Sequence, residues 1–208
     1  MRLFLAQFLV LLSFVGYTQK FKTFKKLPPP EKIWVITHPF VAGKAYKISL
    51  EAKNVADSLT RDTTVLDGDG NGGQVDAFRH AYWMARLTSE IGWRRSRSLG
   101  NAHEKGNYWQ YKKGILEDGA LPDKESSDMD FLNNDIGRDV GLEYKNISKD
   151  SLQKVIIKMI LDGELWILWK DKNGNFLDCE GNVIPDSLLH HKWETPKCLV
   201  PSNKKRLP

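Results

Sequence analysis

The stretch GGQVDAFRHAYWMARLT, residues Gly72 to Thr88, sets an acid, an arginine and a histidine into a run that otherwise has the periodicity of an apolar helix. Advancing about 100° per residue from His80, the positions Asp76, Trp83, Met84, Leu87 and Ile91 all fall within about 60° of it. Phe78, Ala81, Tyr82 and Ala85 cover the opposite side, which leaves a narrow sector with Arg79, Arg86 and Glu90 for solvent. The helix is therefore expected to be buried nearly all round. Burying an ionised side chain costs several kcal/mol unless it is paired or bound to a metal, so Asp76 and His80 need partners. At one helical turn apart they are each other's first candidate. A carboxylate that holds an imidazole fixes its tautomer, which suits a metal ligand, a general base or a structural pair.

Outward from this helix the pattern stays helical. Val41, Ala45, Ile48, Ala52, Val55 and Leu59 recur at steps of three and four, so the preceding segment reads as an amphipathic helix with Pro39 in its first turn. WRRSRSLGNAHEKGN, from Trp93, reads as a shorter helix after the break at Gly92. DMDFLNNDIGRDVGLEY, from Asp128, is a fourth helix, and the segment from Ser148 is a fifth, with Ser148 as N-cap and Leu152, Val155, Ile156, Met159 and Trp166 as its apolar stripe. The turn pairs Asn173-Gly174 and Glu180-Gly181 then predict a small hairpin. The class is mainly α: one domain of about five helices with a small C-terminal β-hairpin.

Two further segments turn polar groups toward their own apolar stripes. His103 follows Leu99 by one turn, with Glu104 beside it. In the fourth helix Asp130, Asn133 and Asn134 share a face with Gly137 and Gly141. Helix-interior glycines cost about 1 kcal/mol each against Ala, which predicts close approach of another element and a buried place for Asp130 and Asn134. Arg138 is placed to pair with one of the acids. Asp76, His80 and His103 are thus candidate ligands of a zinc-like ion with an open position, Glu104 or Asp130 the candidate general base, and Asn134 and Arg79 candidate participants. The loop DGDGNGG offers Asp67, Asp69 and Asn71 at alternate positions, like the first half of a calcium-binding loop, but Phe78 stands where the bidentate Glu would be.

Taken together, DAFRHAYW, GNAHE and MDFLNNDIGRDVG resemble a family of bacterial domains of unknown function, often found on exported or toxin-like proteins. The resemblance runs from about Pro39 to Gly141 and implies an all-helical domain, with no established activity to transfer. The chain departs from the family's pattern at Met84 and Phe131, where Asn and a polar residue or His are expected.

The first residues, MRLFLAQFLVLLSFVGYTQK, carry one Arg and an apolar run from Leu3 to Val15 before small residues, which predicts a signal peptide over 1–18 cleaved near Thr18. Residues 19–30 read as a basic, Pro-rich linker, 31–170 as the helical domain and 171–208 as the hairpin and a basic tail. An exported location, periplasmic or extracellular, makes a disulfide between Cys179 and Cys198 the expectation for the two cysteines. The net charge of +5 sits partly in the two mature ends, compatible with anionic envelope surfaces. No nucleic-acid motif is present, and no later segment is apolar enough to span a membrane. The expectation is an exported helical domain with a divalent metal, zinc before calcium, hydrolysing a phosphoester, lipid or envelope polymer. A non-catalytic envelope module with a closed polar network, or a secreted toxin domain, are the alternatives.

Overall fold

The computed structural model describes residues 22–117 and 119–208, so the segment read as a signal peptide lies outside the described residues. Pro28 caps helix α1 (Pro29–Thr37), with Pro29 and Pro30 in its first turn, where a missing N–H leaves no hydrogen bond unmade. The prolines read as the end of a linker therefore start a helix. Its Trp34 is buried and its indole N–H donates to Ser98 Oγ at 2.8 Å. Helix α2 (Pro39–Arg61) buries Ala45, Ile48, Ala52 and Ala56, so the inward face lies where the periodicity put it.

Helix α3 (Gln74–Ile91) is the centre of the domain, buried along most of its length and ended by Gly92 at φ 89°. It feeds two apolar clusters. Phe78, Ala81, Tyr82 and Ala85 join Ala52, Ala56, Leu152, Ile156 and Ile160 in one. Met84, Leu87 and Ile91 join Trp34, Ala45, Ile48 and Leu99 in the other, on the stripe that also carries His80.

Helix α4 (Trp93–Lys113) is longer than the periodicity predicts. Its last turns are polar apart from aromatic residues, and they are held by Trp193, whose ring meets Tyr108 and Tyr111 at 4.7 and 5.2 Å between centroids. Helix α5 (Lys124–Glu143) starts at Asp123, whose carboxylate accepts from the Ser126 N–H. It lies against α3 backbone to backbone: a Cβ on Gly137 would come 2.3 Å from Ala81 O, and one on Gly141 2.5 Å from Ala85 O. The two glycines are what lets the helices approach so closely.

Helix α6 (Lys149–Asp162) has the expected cap, Ser148 accepting from the Ser151 N–H, and ends at left-handed Gly163. Trp166, read as part of its stripe, instead opens strand β1 (Trp166–Leu168), because the glycine turns the chain out of the helix. After a single-turn helix α7 (Asp186–Leu189), strand β2 (Leu199–Pro201) pairs antiparallel with β1, with Ile167 opposite Val200. The sheet thus joins segments far apart in sequence, while the predicted turns form isolated bridges, Lys170 with Phe176 and Leu177 with Val183. Each turn is built on an aspartate: Asp171 accepts from the N–H of Asn173 and Asn175, and Asp178 from those of Glu180 and Asn182. Cys179 and Cys198 form a disulfide that ties the second turn to the residue before β2.

Candidate metal centre

Asp76 and His80 project from the first half of α3, and Asp130 from α5 about two turns before the glycine contact that presses the two helices together. One ligand atom from each of the three lies within 4.8 Å of the others. His80 Nε2 stands 3.2 Å from Asp130 Oδ1 and 3.5 Å from Asp76 Oδ1. Bonds of about 2.1 Å to a tetrahedral ion place ligands about 3.4 Å apart, and both His80 distances lie near that span. His80 Nδ1 lies 3.4 Å from Asn134 Oδ1, an acceptor; with the ring proton on Nδ1, Nε2 presents its lone pair to the carboxylates.

Three acceptor atoms facing one another repel unless a proton or a cation lies among them. Arg79 supplies part of that charge: its Nη2 donates to Asp76 Oδ1 at 2.7 Å and lies 3.2 Å from His80 Nε2. The other oxygen of Asp76 accepts from the Gly72 N–H at 2.7 Å. Asp130 Oδ1 has no hydrogen bond among the described residues although it is buried. Burial pushes the Asp130 carboxyl well above the ordinary range, and the nearby charges of Glu104 and Asp76 push the same way.

His103 lies beside this group, its ring 6.2 Å from that of His80, but not within it. Both of its nitrogens face glutamates, Nδ1 toward Glu31 at 2.9 Å and Nε2 toward Glu117 at 3.3 Å. Burial alone would strip its proton, but Glu117, Glu31 and Glu104 outweigh that and raise it to about 10, leaving an imidazolium. The third member of the ligand group is therefore Asp130 rather than His103. Glu104 is buried, receives one hydrogen bond on Oε2 from Asn107 at 3.2 Å, and has no partner for Oε1 among the described residues. Burial raises it to about 7, against the pull of the His103 cation and with the push of Glu117.

The paired asparagines divide their roles. Asn134 orients His80, whereas Asn133 exchanges two hydrogen bonds with the backbone of Trp166, pinning β1 to α5. Arg138 takes no part: it pairs with Asp135 on its own helix and lies over the Trp93 ring. In the loop before α3, Asp69 Oδ2 receives Lys170 Nζ at 2.7 Å and Arg206 at 2.8 Å, and the same ammonium takes the Asn71 carbonyl at 2.6 Å. Asp67 Oδ1 caps backbone N–H groups of Asp69 and Gln74. The oxygens that resemble a calcium loop thus face a lysine and an arginine of the protein itself. Glu31 and Glu117 escape sequence reading because no local pattern marks them as neighbours of His103.

Fold and site together define a helical domain with a buried Asp–His–Asp group able to hold a metal ion. The chain belongs to the family described as a domain of unknown function, DUF6973, whose model matches residues 32–164. No curated protein and no solved structure matches it.

Proposed function

We propose that this domain is a divalent-metal-dependent hydrolase, exported from the cytoplasm, with its ion held by Asp76, His80 and Asp130. The observation that carries the reading is the convergence of three buried ligand atoms within 4.8 Å of one another, with Asp130 Oδ1 buried and accepting no hydrogen bond among the described residues. A divalent ion there, zinc by ligand type and spacing, would lower the pKa of a bound water toward neutrality. The chain's own groups support the rest of the chemistry. Asn134 holds the His80 tautomer, and Glu104, raised to about 7, is poised to take a proton near neutral pH. The His103 imidazolium, held between Glu31 and Glu117, favours the carboxylate form of Glu104.

The side chains of His80, Asp76 and Asp130 are 3%, 8% and 10% exposed, whereas that of Arg79 is 25% exposed and lines a cleft. The disulfide supports an oxidising compartment. Among the described residues no helix is long and apolar enough to cross a membrane.

A second reading, a non-catalytic polar network, is favoured by the Arg79–Asp76 pair, which neutralises part of the group without any ion. Elemental analysis of the purified protein decides between them. One equivalent of zinc or another divalent transition metal, lost on Asp130→Ala, supports the metal centre. Metal-free protein that stays so after dialysis against zinc supports the network.

A further inference from the structure

The cleft outside the Asp–His–Asp group has a volume of about 410 Å³ and is lined by Lys53, Ala56, Asp57 and Thr60 of α2, by Gly70 of the loop, and by Val75 and Arg79 of α3. Arg79 lines this cleft and contacts the ligand group at once. That double position creates a conflict. The guanidinium Nη2 occupies the space next to Asp76 Oδ1 and His80 Nε2, the atoms an ion needs. Two like charges cannot share those acceptors at contact distance, so ion and guanidinium compete for them.

The cleft is where a displaced guanidinium can go without leaving its helix. Its wall offers one carboxylate, Asp57, which already faces Lys53 at 3.8 Å. A Cβ on Gly70 would meet only Thr60 Oγ1, at 3.5 Å, so the loop side is open. A planar guanidinium and an ammonium around a polar cleft next to a divalent ion form a receptor for an oxyanion.

We propose that this cleft is the substrate's anion subsite, that it takes a phosphoryl oxyanion, and that Arg79 exchanges Asp76 for that oxyanion when a divalent ion enters the Asp–His–Asp group. This rests on the metal-centre reading and names its substrate class, a phosphoester. Arg79 is then a specificity-determining residue that also holds the ligand group together before the ion arrives.

The test uses the full mature protein with zinc and inorganic phosphate as probes. Zinc affinity is measured by competition with a chromophoric chelator in wild type, Arg79→Met and Arg79→Gln, with circular dichroism to confirm folding. Removal of the competing charge is expected to tighten zinc binding about tenfold or more in both variants. In the wild type, phenylglyoxal labelling of Arg79, read by peptide mapping, is expected to rise on zinc loading and to fall again when phosphate is added. Lys53→Glu should weaken phosphate binding while keeping the zinc stoichiometry. Zinc affinity that is unchanged or weaker in the folded variants, or labelling that ignores zinc, overturns the exchange while leaving the metal centre standing. Failure of wild type and variants alike to take up zinc removes both.

Discussion

Two sets of carboxylates lie within one stretch of chain, Asp67 and Asp69 in the loop before α3 and Asp76 within it, and they meet their counter-charges differently. The loop acids are answered by Lys170 and Arg206, which arrive from 101 and 137 residues away along the sequence and close the charge balance. Asp76 shares its place with Asp130 and His80; the guanidinium in contact with that group, Arg79, comes from the same helix, and among the described residues Asp130 Oδ1 accepts no hydrogen bond. The loop has the appearance of a cation site in sequence and is a finished ion pair in space. The helix pair carries no contiguous metal-binding motif, only polar residues on apolar faces, and is where buried carboxylates converge without a second cation among the described residues. An acidic pattern therefore says little until the cations delivered by the rest of the fold are counted.

The comparison can be broken at either end. The largest effect is expected from Asp69→Ala, which leaves the Lys170 ammonium 7% exposed without its carboxylate, and urea unfolding should show a loss of about 3 kcal/mol or more. A loss below about 1 kcal/mol would mean that the loop pair is not the closed unit described. Next in size, His80→Ala should lower zinc affinity about 100-fold or more, with a stability change of only about 1 to 3 kcal/mol from partners left unpaired. Zinc retained at wild-type affinity by that variant would take the metal out of the helix pair.

A smaller effect sharpens the contrast through pH. Glu104 is raised in the folded protein from 4.5 to about 7, so its stabilising contribution is complete below the unfolded value and is lost as the pH climbs through the folded one. Asp130 is shifted in the same direction. The melting temperature of ion-free protein should therefore decline between about pH 4.5 and pH 7, and Glu104→Gln should flatten that decline. An unchanged slope in the variant would place the titration elsewhere. The smallest effect is expected from calcium. At millimolar concentration it should leave the melting temperature of the wild type unmoved, since it would have to displace both Lys170 and Arg206 from the loop.

Much of the fold was legible because helices announce themselves locally. The steps of three and four in α2, the cap at Ser148 and the stop at Gly92 are all short-range signals. The end of α4 was not, because Trp193 holds it rather than an apolar stripe of its own, and the pairing of β1 with β2 was not, because neither strand carries a turn that names its partner. In the site, Asp76, His80, Asp130 and Asn134 were readable as polar groups on apolar faces. What sequence could not tell was which of the two histidines joins the carboxylates. That depends on Glu31 and Glu117, which claim both nitrogens of His103 through contacts that no spacing encodes.

The glycines of α5 have a consequence for ion choice. Gly137 and Gly141 meet the backbone of Ala81 and Ala85, so they act as the stop that sets how wide the gap between α3 and α5 stands where His80 faces Asp130. Asp130 lies about two turns from Gly137, near enough for the rigid helix to carry any widening to it. A methyl group added at Gly137 would push the jaws apart, lengthen the His80–Asp130 bite beyond what a zinc ion spans, and turn the site toward larger, oxygen-loving ions. On the metal-centre reading, ion preference is thus gauged by two residues that are not among the ligands.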